Sequence, residues 1–441
     1  MLPDRGPDVL DLETAMARLS EHLSPAVRGL STSPAIAMNE RCDQMRAAGV
    51  DVYKLALGQS PFPVPERIVE ALRANAGQKD YLPAEGLPAL RRAVARFVEK
   101  RIGIDRTEDD VLVGPGSKEL LFLLQLAFAG DLVVPTPSWT SYVPQARVLG
   151  REVTLVPARA ENGFMVTAAA LDAALSGHYG GPRILVLNYP NNPTGLTYGV
   201  DELREIAKVA RTHDLLVLSD EIYGELHHKG QHASIAKHYP EGTIISGGMS
   251  KWLGAGGWRL GTFVFPQELG KLRRAMAALA SETFTSTSAP ISHAAIVAFE
   301  GGEDIERYLT HVRRVLAAVG RQTARRLTAL GLACAQPVGG FHVFVDFGPR
   351  AEKLRARGIT TSTTLVERLL EETGVALLPG SAFARPDEEL TARLSYVDFD
   401  GTKALAAVQV IPKEQPLDET FLRRQAPRIL AAVDAIGKWI E

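Results

Sequence analysis

Short runs of apolar residues alternate along the chain with longer stretches in which apolar residues recur every three or four positions. The short runs predict buried strands, and the recurring pattern predicts amphipathic helices. The predicted strands lie at 111–114, 132–135, 184–190, 215–223, 243–251 and 260–266. The main predicted helices of this region lie at 65–76, 87–101, 118–128, 142–149 and 201–213. Strands that alternate with helices in this way favour an α/β fold with a mostly parallel sheet covered by helices.

The pattern changes after about residue 305. The second region begins with a long helical stretch at 307–330. It also has three apolar runs, at 339–347, 375–380 and 392–397, and two further helices, at 362–373 and 421–440. This arrangement predicts a smaller α+β domain. We therefore expect an N-terminal extension at 1–32, an arm at 33–60 that joins the small domain, a large domain at 61–305 and the small domain at 306–441. The extension carries a short amphipathic stretch near 12–23, and residues 401–417 have no assigned role.

Composition and charge exclude several classes of protein. The chain has 49 Lys and Arg against 51 Asp and Glu, a formal net charge of −2, so no basic surface for nucleic acid is expected. No apolar run approaches the roughly 20 residues that span a bilayer. Two distant cysteines, Cys42 and Cys334, argue against a disulfide framework, and no metal site emerges. We expect a cytoplasmic protein that binds neither membrane nor nucleic acid.

Polar residues follow the predicted strands at the points where the strands end. They include Asn188, Asn192, Asp220, Tyr223 and Lys251. Open parallel sheets bind ligands outside the carboxyl ends of their strands. The sequence therefore predicts that these residues line one pocket.

Several sequence motifs identify a family. In chain order they are LALGQSPFPVP (55–65), YLPAEGLPALRRAV (81–94), GPGSKELLF (114–122), NYPNNPTG (188–195), SDEIYGEL (219–226), GMSKWLGAGGWRLG (248–261) and ARLSYV (392–397). With these motifs the chain resembles the class I/II aminotransferases of the aspartate aminotransferase type, which are pyridoxal-phosphate-dependent enzymes of fold type I. The resemblance runs from about residue 33 to residue 396. It implies a fold type I architecture, a large domain and a smaller α+β domain, and ping-pong transfer of an amino group from an L-amino acid to a 2-oxo acid, with 2-oxoglutarate expected as acceptor.

The resemblance also assigns roles around the cofactor ring. Lys251 forms the imine with pyridoxal phosphate and then moves a proton, Asp220 pairs with the pyridine nitrogen, and Tyr223 and Asn192 contact the ring oxygen. Taken alone, Asp220 is also compatible with a helix cap and Asn192 with a turn. Trp139 is implied to stack on the ring and to border the substrate.

The resemblance also implies which residues bind the cofactor phosphate and the substrate α-carboxylate. The backbone amides of Ser117 and Lys118 open a helix, where an anion is favoured, and Arg259 supplies a guanidinium. Tyr81 is implied to reach the phosphate of a partner subunit, which implies a homodimer with shared active sites. For the substrate α-carboxylate the resemblance assigns Arg393 and the amide of Gly58.

The nature of the amino donor stays open. Lys118 stands where some relatives pair a lysine with a distal carboxylate, whereas Ala35 replaces a hydroxyl residue of dicarboxylate-specific relatives. Phe341, His342 and Trp252 are candidates for an aromatic side-chain pocket, so acidic and aromatic donors are both compatible with the sequence. The family often has serine where this chain has Gly248, which removes one expected phosphate contact.

Two other functions compete with transamination. A lyase, a cyclase or an oxidase on the same fold would use the same cofactor residues. A regulator with a degenerate aminotransferase domain would need an N-terminal DNA-binding domain, and only about thirty residues precede the resemblance.

Overall fold

The computed structural model describes residues 22–177 and 181–441. The amphipathic stretch predicted near 12–23 lies almost entirely outside the described residues. The strands are β1 (Tyr53–Lys54), β2 (Val111–Gly114), β3 (Asp131–Thr136), β4 (Val153–Pro157), β5 (Arg183–Asn188), β6 (Leu216–Asp220), β7 (Thr243–Gly248), β8 (Gly261–Val264), β9 (Ala333–Cys334), β10 (His342–Asp346), β11 (Val375–Ala376), β12 (Leu378–Pro379) and β13 (Thr391–Ser395).

Helices surround and connect these strands. The α-helices span Pro34–Ala47, Glu66–Asn75, Pro88–Ile102, Ser117–Ala127, Tyr142–Val148, Ala168–Leu175, Val200–Thr212, Gly270–Thr283, Ala289–Glu300, Glu303–Ala329, Ala351–Ala356, Ser362–Thr373, Gly401–Gln409, Glu419–Gln425 and Pro427–Ile440.

The larger sheet has seven strands in the order β2-β8-β7-β6-β5-β3-β4. Its strands run parallel except β8, which is antiparallel to both of its neighbours. β2 and β6 are buried along their whole length, as expected for parallel strands with helices on both faces. The predicted mostly parallel sheet is therefore present.

Successive side chains of β3 point to opposite faces of this sheet, as strand geometry requires. Leu132 and Val134 belong to the same core as Leu120 and Met276, from helices Ser117–Ala127 and Gly270–Thr283. Val133 belongs instead to the core that contains Leu171 and Leu203, from helices Ala168–Leu175 and Val200–Thr212. The sheet is thus packed between two helical layers.

The second sheet has the antiparallel order β12-β13-β10-β9. β1 pairs in parallel with β11, with Tyr53 opposite Val375. This pairing fixes the segment that leads to residue 58 against the C-terminal part of the chain. The exact domain limits, at residues 32, 60 and 305, stay predictions.

Two sequence predictions need correction or completion. Residues 421–440 do not form one helix, because the chain breaks at Ala426, whose φ is −134°; the residue before a proline disfavours helical backbone, and Pro427 starts the second helix. Residues 401–417 contain the helix Gly401–Gln409, which Asp400 caps by accepting a hydrogen bond from the Lys403 amide. Among the described residues, none of the helices has the length and apolar composition needed to cross a membrane.

Candidate active site

Three glycines lie side by side at the carboxyl edge of the larger sheet. Gly114 ends β2 and pairs with Gly261 of β8, which pairs in turn with Gly248 at the end of β7. A Cβ atom on Gly261 would lie 2.1 Å from the Ser117 nitrogen. The row is therefore free of side chains, and the amino end of helix Ser117–Ala127 packs directly on the sheet.

Gly248 occupies the position at which the family often has serine. Its φ is +152°, and a Cβ atom here would lie 2.7 Å from the Leu260 carbonyl oxygen. A side chain at this position would meet backbone in a conformation that L residues rarely adopt. Glycine is thus required by the local packing of this chain.

An anion cradle lies beside the glycine row. Gly116 has φ +96°, and a Cβ atom there would lie 2.2 Å from Nη2 of Arg259. Arg259 is held by a 2.9 Å hydrogen bond from Nη1 to the Gly256 carbonyl. The first amides of a helix have no partner within the helix and carry partial positive charge. The amides of Ser117 and Lys118 and the Arg259 guanidinium therefore form a site suited to phosphate.

Asp220 ends β6 and is buried. Its Oδ2 accepts a 2.6 Å hydrogen bond from the Tyr142 hydroxyl, and its Oδ1 accepts one of 3.4 Å from the Ile222 amide. Burial raises the pKa of this carboxyl, while the Tyr142 hydrogen bond and the nearby Lys251 ammonium lower it. The carboxylate is thus partly compensated and keeps capacity for a cationic partner.

Lys251 lies in the loop between β7 and β8. Its Nζ donates a 2.8 Å hydrogen bond to the Gly58 carbonyl. Burial, reinforced by the positive charges of Arg393, Arg259 and Lys118, lowers the pKa of Lys251 to about 8, although Asp220 acts in the opposite direction. An amine with this pKa is partly unprotonated at neutral pH, as a nucleophile or base must be.

Arg393 is almost completely buried on β13. Its Nη1 donates a 3.0 Å hydrogen bond to Oδ1 of Asn192, and its Nη2 donates to the Ala56 carbonyl. Its Nε has no partner among the described residues, and neither does Arg393 form an ion pair there. Burial lowers its pKa to about 10, so the guanidinium is charged at neutral pH and suited to an external carboxylate.

Asp220, Lys251 and Arg259 line one cavity of about 470 Å³, whereas Arg393 is not among its lining residues. Its lining contains all five strand-end residues that were predicted to share a pocket, and also Gly58, Ser117, Lys118, Trp139 and Arg259. Asp220 is the only carboxylate among the described lining residues, against the cations Lys118, Lys251 and Arg259. The excess of positive charge favours an anionic ligand.

Comparison with known proteins agrees with this geometry. The sequence profile of the family "Aminotransferase class I and II" matches residues 50–407. The chain is 34% identical over 385 residues to the aspartate aminotransferase of Geobacillus stearothermophilus, covering 85% of this chain and 94% of that protein. It is 33% identical over 380 residues to the aspartate/prephenate aminotransferase of Thermus thermophilus, again covering 85% and 94%. The chain belongs to the class I and II aminotransferases.

A solved structure shows the same fold. The Thermus thermophilus aspartate aminotransferase with maleate superposes with a TM-score of 0.78 at 32% identity, covering 88% of this chain and 98% of that one. The described chain is therefore an α/β aminotransferase, and the predicted family, fold class and enzyme class are confirmed. The family implies pyridoxal phosphate as cofactor. The glycine row, the anion cradle and the buried Asp220 fit that group, since they offer room, phosphate donors and a carboxylate for a protonated ring nitrogen.

Three further residues that the sequence singled out, Tyr81, Trp252 and Phe341, do not line the cavity. Tyr81 is 88% exposed and lies outside the cavity. Trp252 does not line the cavity: it packs against Phe97 and Phe299 at centroid distances of 5.7 and 6.1 Å, and the expectation of an aromatic substrate pocket at this residue is wrong. Phe341 is fully buried, with its centroid 5.9 Å from Nζ of Lys251.

Two residues have closer contacts with the site than the sequence indicated. Tyr142, predicted only as the first residue of a helix, donates a hydrogen bond to Asp220. His342, a candidate for the aromatic side-chain pocket, does not line the cavity and hydrogen-bonds with Tyr223 and Ser395. Periodicity marks both residues as buried, and it carries no signal for the partner of a buried polar atom.

Proposed function

We propose that this aminotransferase binds pyridoxal 5'-phosphate in the cavity of Lys251 and transfers the amino group of an L-amino acid to 2-oxoglutarate. The observation that carries the proposal is the presence of a half-buried amine with a pKa of about 8 and a buried carboxylate, Asp220, in one cavity with an anion cradle at its edge. The cofactor, when bound, acts as an electron sink for the bonds around the substrate α-carbon.

Each end of the cofactor has a proposed partner. The amides of Ser117 and Lys118 and the Arg259 guanidinium bind the phosphate. Asp220 pairs with the protonated ring nitrogen, and Tyr223 and Asn192 contact the ring oxygen. Trp139, whose ring meets that of Tyr142 edge-on at 5.3 Å, packs on the cofactor ring and borders the substrate.

Lys251 is the proposed covalent anchor and proton carrier. With the cofactor bound, its unprotonated amine would accept the proton of the substrate α-carbon and hold it at Nζ for return. The cations Arg393 and Arg259 support this role because they favour the unprotonated amine. The hydrogen bond from Nζ to Gly58 holds the amine at the cavity.

The substrate is proposed to bind through its carboxylates. Arg393, whose Nε has no hydrogen-bond partner within the described parts of the chain, binds the α-carboxylate together with the Gly58 amide. Lys118 lies with Nζ 5.1 Å from the Trp139 ring centroid and has no ion pair among the described residues. It is therefore available for the distal carboxylate of an acidic donor, which agrees with relatives named aspartate and aspartate/prephenate aminotransferases. Aromatic donors remain the second candidate.

We also propose that the protein is a cytoplasmic homodimer with shared active sites. The exposed side chain of Tyr81 supports a homodimer in which this residue reaches the phosphate of the other subunit. The free thiols of Cys42 and Cys334 support a reducing, cytoplasmic environment.

Absorption spectroscopy tests the function. Purified protein loaded with pyridoxal phosphate should absorb in the near ultraviolet or visible range; L-aspartate or L-glutamate alone should remove that absorption, and 2-oxoglutarate alone should then restore it. The Lys251→Ala variant is the matched control and should not complete the cycle. Continuous release of ammonia from the donor, with no need for the 2-oxo acid, would contradict transamination and favour a lyase.

A further inference from the structure

A chain of three polar groups runs behind the cavity wall. Nε2 of His342 lies 3.0 Å from the Tyr223 hydroxyl, and Nδ1 of the same ring lies 2.9 Å from Oγ of Ser395. His342 and Ser395 are opposite each other in the register of β10 and β13. Ser395 and His342 are buried, and only Tyr223 lines the cavity.

The imidazole is held in place on several sides. A Cβ atom on Gly58 would lie 2.8 Å from Cε1 of His342, so the Gly58 backbone packs directly on the ring. The Phe341 and Tyr223 rings meet the imidazole at centroid distances of 4.7 and 5.6 Å. Burial and the charges of Arg393 and Lys251 lower the pKa of His342 well below its ordinary value. The ring is therefore neutral, with one donor and one acceptor nitrogen.

The hydrogen-bond partners of the two ring nitrogens decide which nitrogen carries the proton. Among the described residues, the Ser395 hydroxyl has His342 Nδ1 as its only side-chain partner. If Nδ1 carried the proton, the Ser395 hydrogen would be buried without an acceptor, which is unfavourable. If Nε2 carries it, Ser395 donates to Nδ1 and Nε2 donates to the Tyr223 oxygen. The Tyr223 hydrogen then points to the cavity that this residue lines.

We infer that His342 is a positioning residue that donates from Nε2 to Tyr223 and so commits the Tyr223 hydroxyl to act as a donor into the cavity. The use of that donor rests on the proposed function, in which the acceptor is the ring oxygen of pyridoxal phosphate. A hydroxyl that accepts one hydrogen bond becomes a stronger donor in the next, because successive hydrogen bonds polarise each other. His342 acts on the ligand through Tyr223 and does not touch it.

Nitrogen-15 NMR of cofactor-free protein labelled at histidine tests the proton position. The His342→Gln variant identifies the His342 signals among those of the ten histidines in the chain. We expect a protonated-type shift at Nε2 and an unprotonated-type shift at Nδ1. In Ser395→Ala this preference should weaken, because the donor to Nδ1 is lost. A protonated Nδ1, or a doubly protonated ring at neutral pH, would overturn the inference.

A double-mutant cycle tests the action through Tyr223. His342→Phe removes the donor and keeps a ring, and it should weaken binding of pyridoxal phosphate by about two- to tenfold, the value of one hydrogen bond. In the Tyr223→Phe background the same change should have no further effect. Equal losses in both backgrounds would mean that His342 acts only on packing, which would overturn the inference.

Failure of the proposed function and failure of the His342 inference would give different experimental results. If wild-type protein develops no new absorption with pyridoxal phosphate, the proposed function fails, while the NMR result still decides the tautomer. If the chromophore forms and the His342 tautomer is the opposite one, the inference fails and the function stands.

Discussion

The Tyr142 hydroxyl donates a 2.6 Å hydrogen bond to Oδ2 of Asp220, and both groups are buried. This contact joins the start of helix Tyr142–Val148 to the end of β6. It lowers the pKa of a carboxyl that burial alone raises. The Tyr142 hydroxyl therefore favours the ionised state of Asp220, and the sequence pattern does not predict this contact.

Tyr142→Phe should destabilise the ionised Asp220 and weaken cofactor binding. Hydrogen bonds to charged groups contribute about 1.5–3 kcal/mol, so we expect roughly ten- to hundredfold weaker binding of pyridoxal phosphate. Titration of cofactor-free protein measures the change. The control is Tyr308→Phe, which removes a tyrosine hydrogen bond to the Pro63 carbonyl outside the cavity and should leave the affinity unaltered. Equal affinities for wild type and Tyr142→Phe would exclude this role.

Capture of pyridoxal phosphate should accelerate as the pH rises. Only the unprotonated amine attacks an aldehyde, and the pKa of Lys251 is lowered to about 8. The rate should therefore increase through about pH 8 and level off above it, provided that the cofactor phosphate is already ionised. Stopped-flow absorption measures the profile, and Lys251→Ala should give no signal. A profile that rises only near the ordinary lysine pKa of about 10.4 would contradict the perturbed amine.

Gly248→Ser should fail to add the phosphate contact found in relatives with serine at that position. The new Cβ atom would meet the Leu260 carbonyl at 2.7 Å with φ at +152°, and strain of this kind is of order 1–3 kcal/mol. We expect a lower free energy of unfolding, measured by urea denaturation. Gly77→Ser is the matched control, since a Cβ atom there meets nothing within 4 Å. A variant that is as stable as wild type and binds the cofactor more tightly would refute the steric argument.

Lys118→Ser should separate acidic from neutral donors. If Lys118 binds the distal carboxylate, kcat/KM for L-aspartate and L-glutamate should fall by roughly ten- to hundredfold, and the value for L-phenylalanine should fall much less. Because the Lys118 backbone amide remains in this variant, the anion cradle should stay intact. Lys208→Ser, which removes an exposed lysine paired with Glu205, is the control. An unchanged kcat/KM for acidic donors would show that Lys118 does not bind the distal carboxylate.

Arg393→Lys should impair every amino donor to a similar extent. Lysine keeps the charge and loses the planar fork that binds a carboxylate through two hydrogen bonds. We expect KM to rise by about tenfold or more for acidic and aromatic donors, measured with saturating 2-oxo acid. The contrast with Lys118→Ser, which discriminates between donors, separates the two carboxylate sites. A selective loss of one donor class would assign Arg393 to the side-chain pocket.

Much of the fold follows from local sequence pattern. The runs that predict β2 and β6 are apolar over most of their length because those strands are buried on both faces. The sequence pattern does not predict helix Pro34–Ala47, because Cys42 is its only buried residue and the helix has no apolar stripe. β1 has only two residues and is defined by its pairing with β11, which lies far away along the chain.

The site was predictable where polar residues end strands, and less so elsewhere. Strand ends place Asp220 and Asn188 at one edge of the sheet before any coordinates are known. The partners of buried side chains, such as Tyr142 for Asp220 and His342 for Tyr223, depend on elements that are far apart in sequence. The need for glycine at position 248 depends on the antiparallel neighbour β8, which pattern alone does not reveal.

The reversed direction of β8 has a consequence for how this site tolerates change. Since β7 leaves the sheet at the edge where β8 enters it, Lys251 and Arg259 share one tight connection of twelve residues, 249–260, closed by the pairing of Gly248 with Gly261. Asp220 and Asn192, by contrast, follow parallel strands and are reached by crossovers that run through helices on the faces of the sheet. Insertions in those crossovers can be accommodated away from the cavity, whereas a single added residue in 249–260 would shift Lys251 relative to Arg259. The length of that connection is thus a constraint as strict as the identity of the residues it carries.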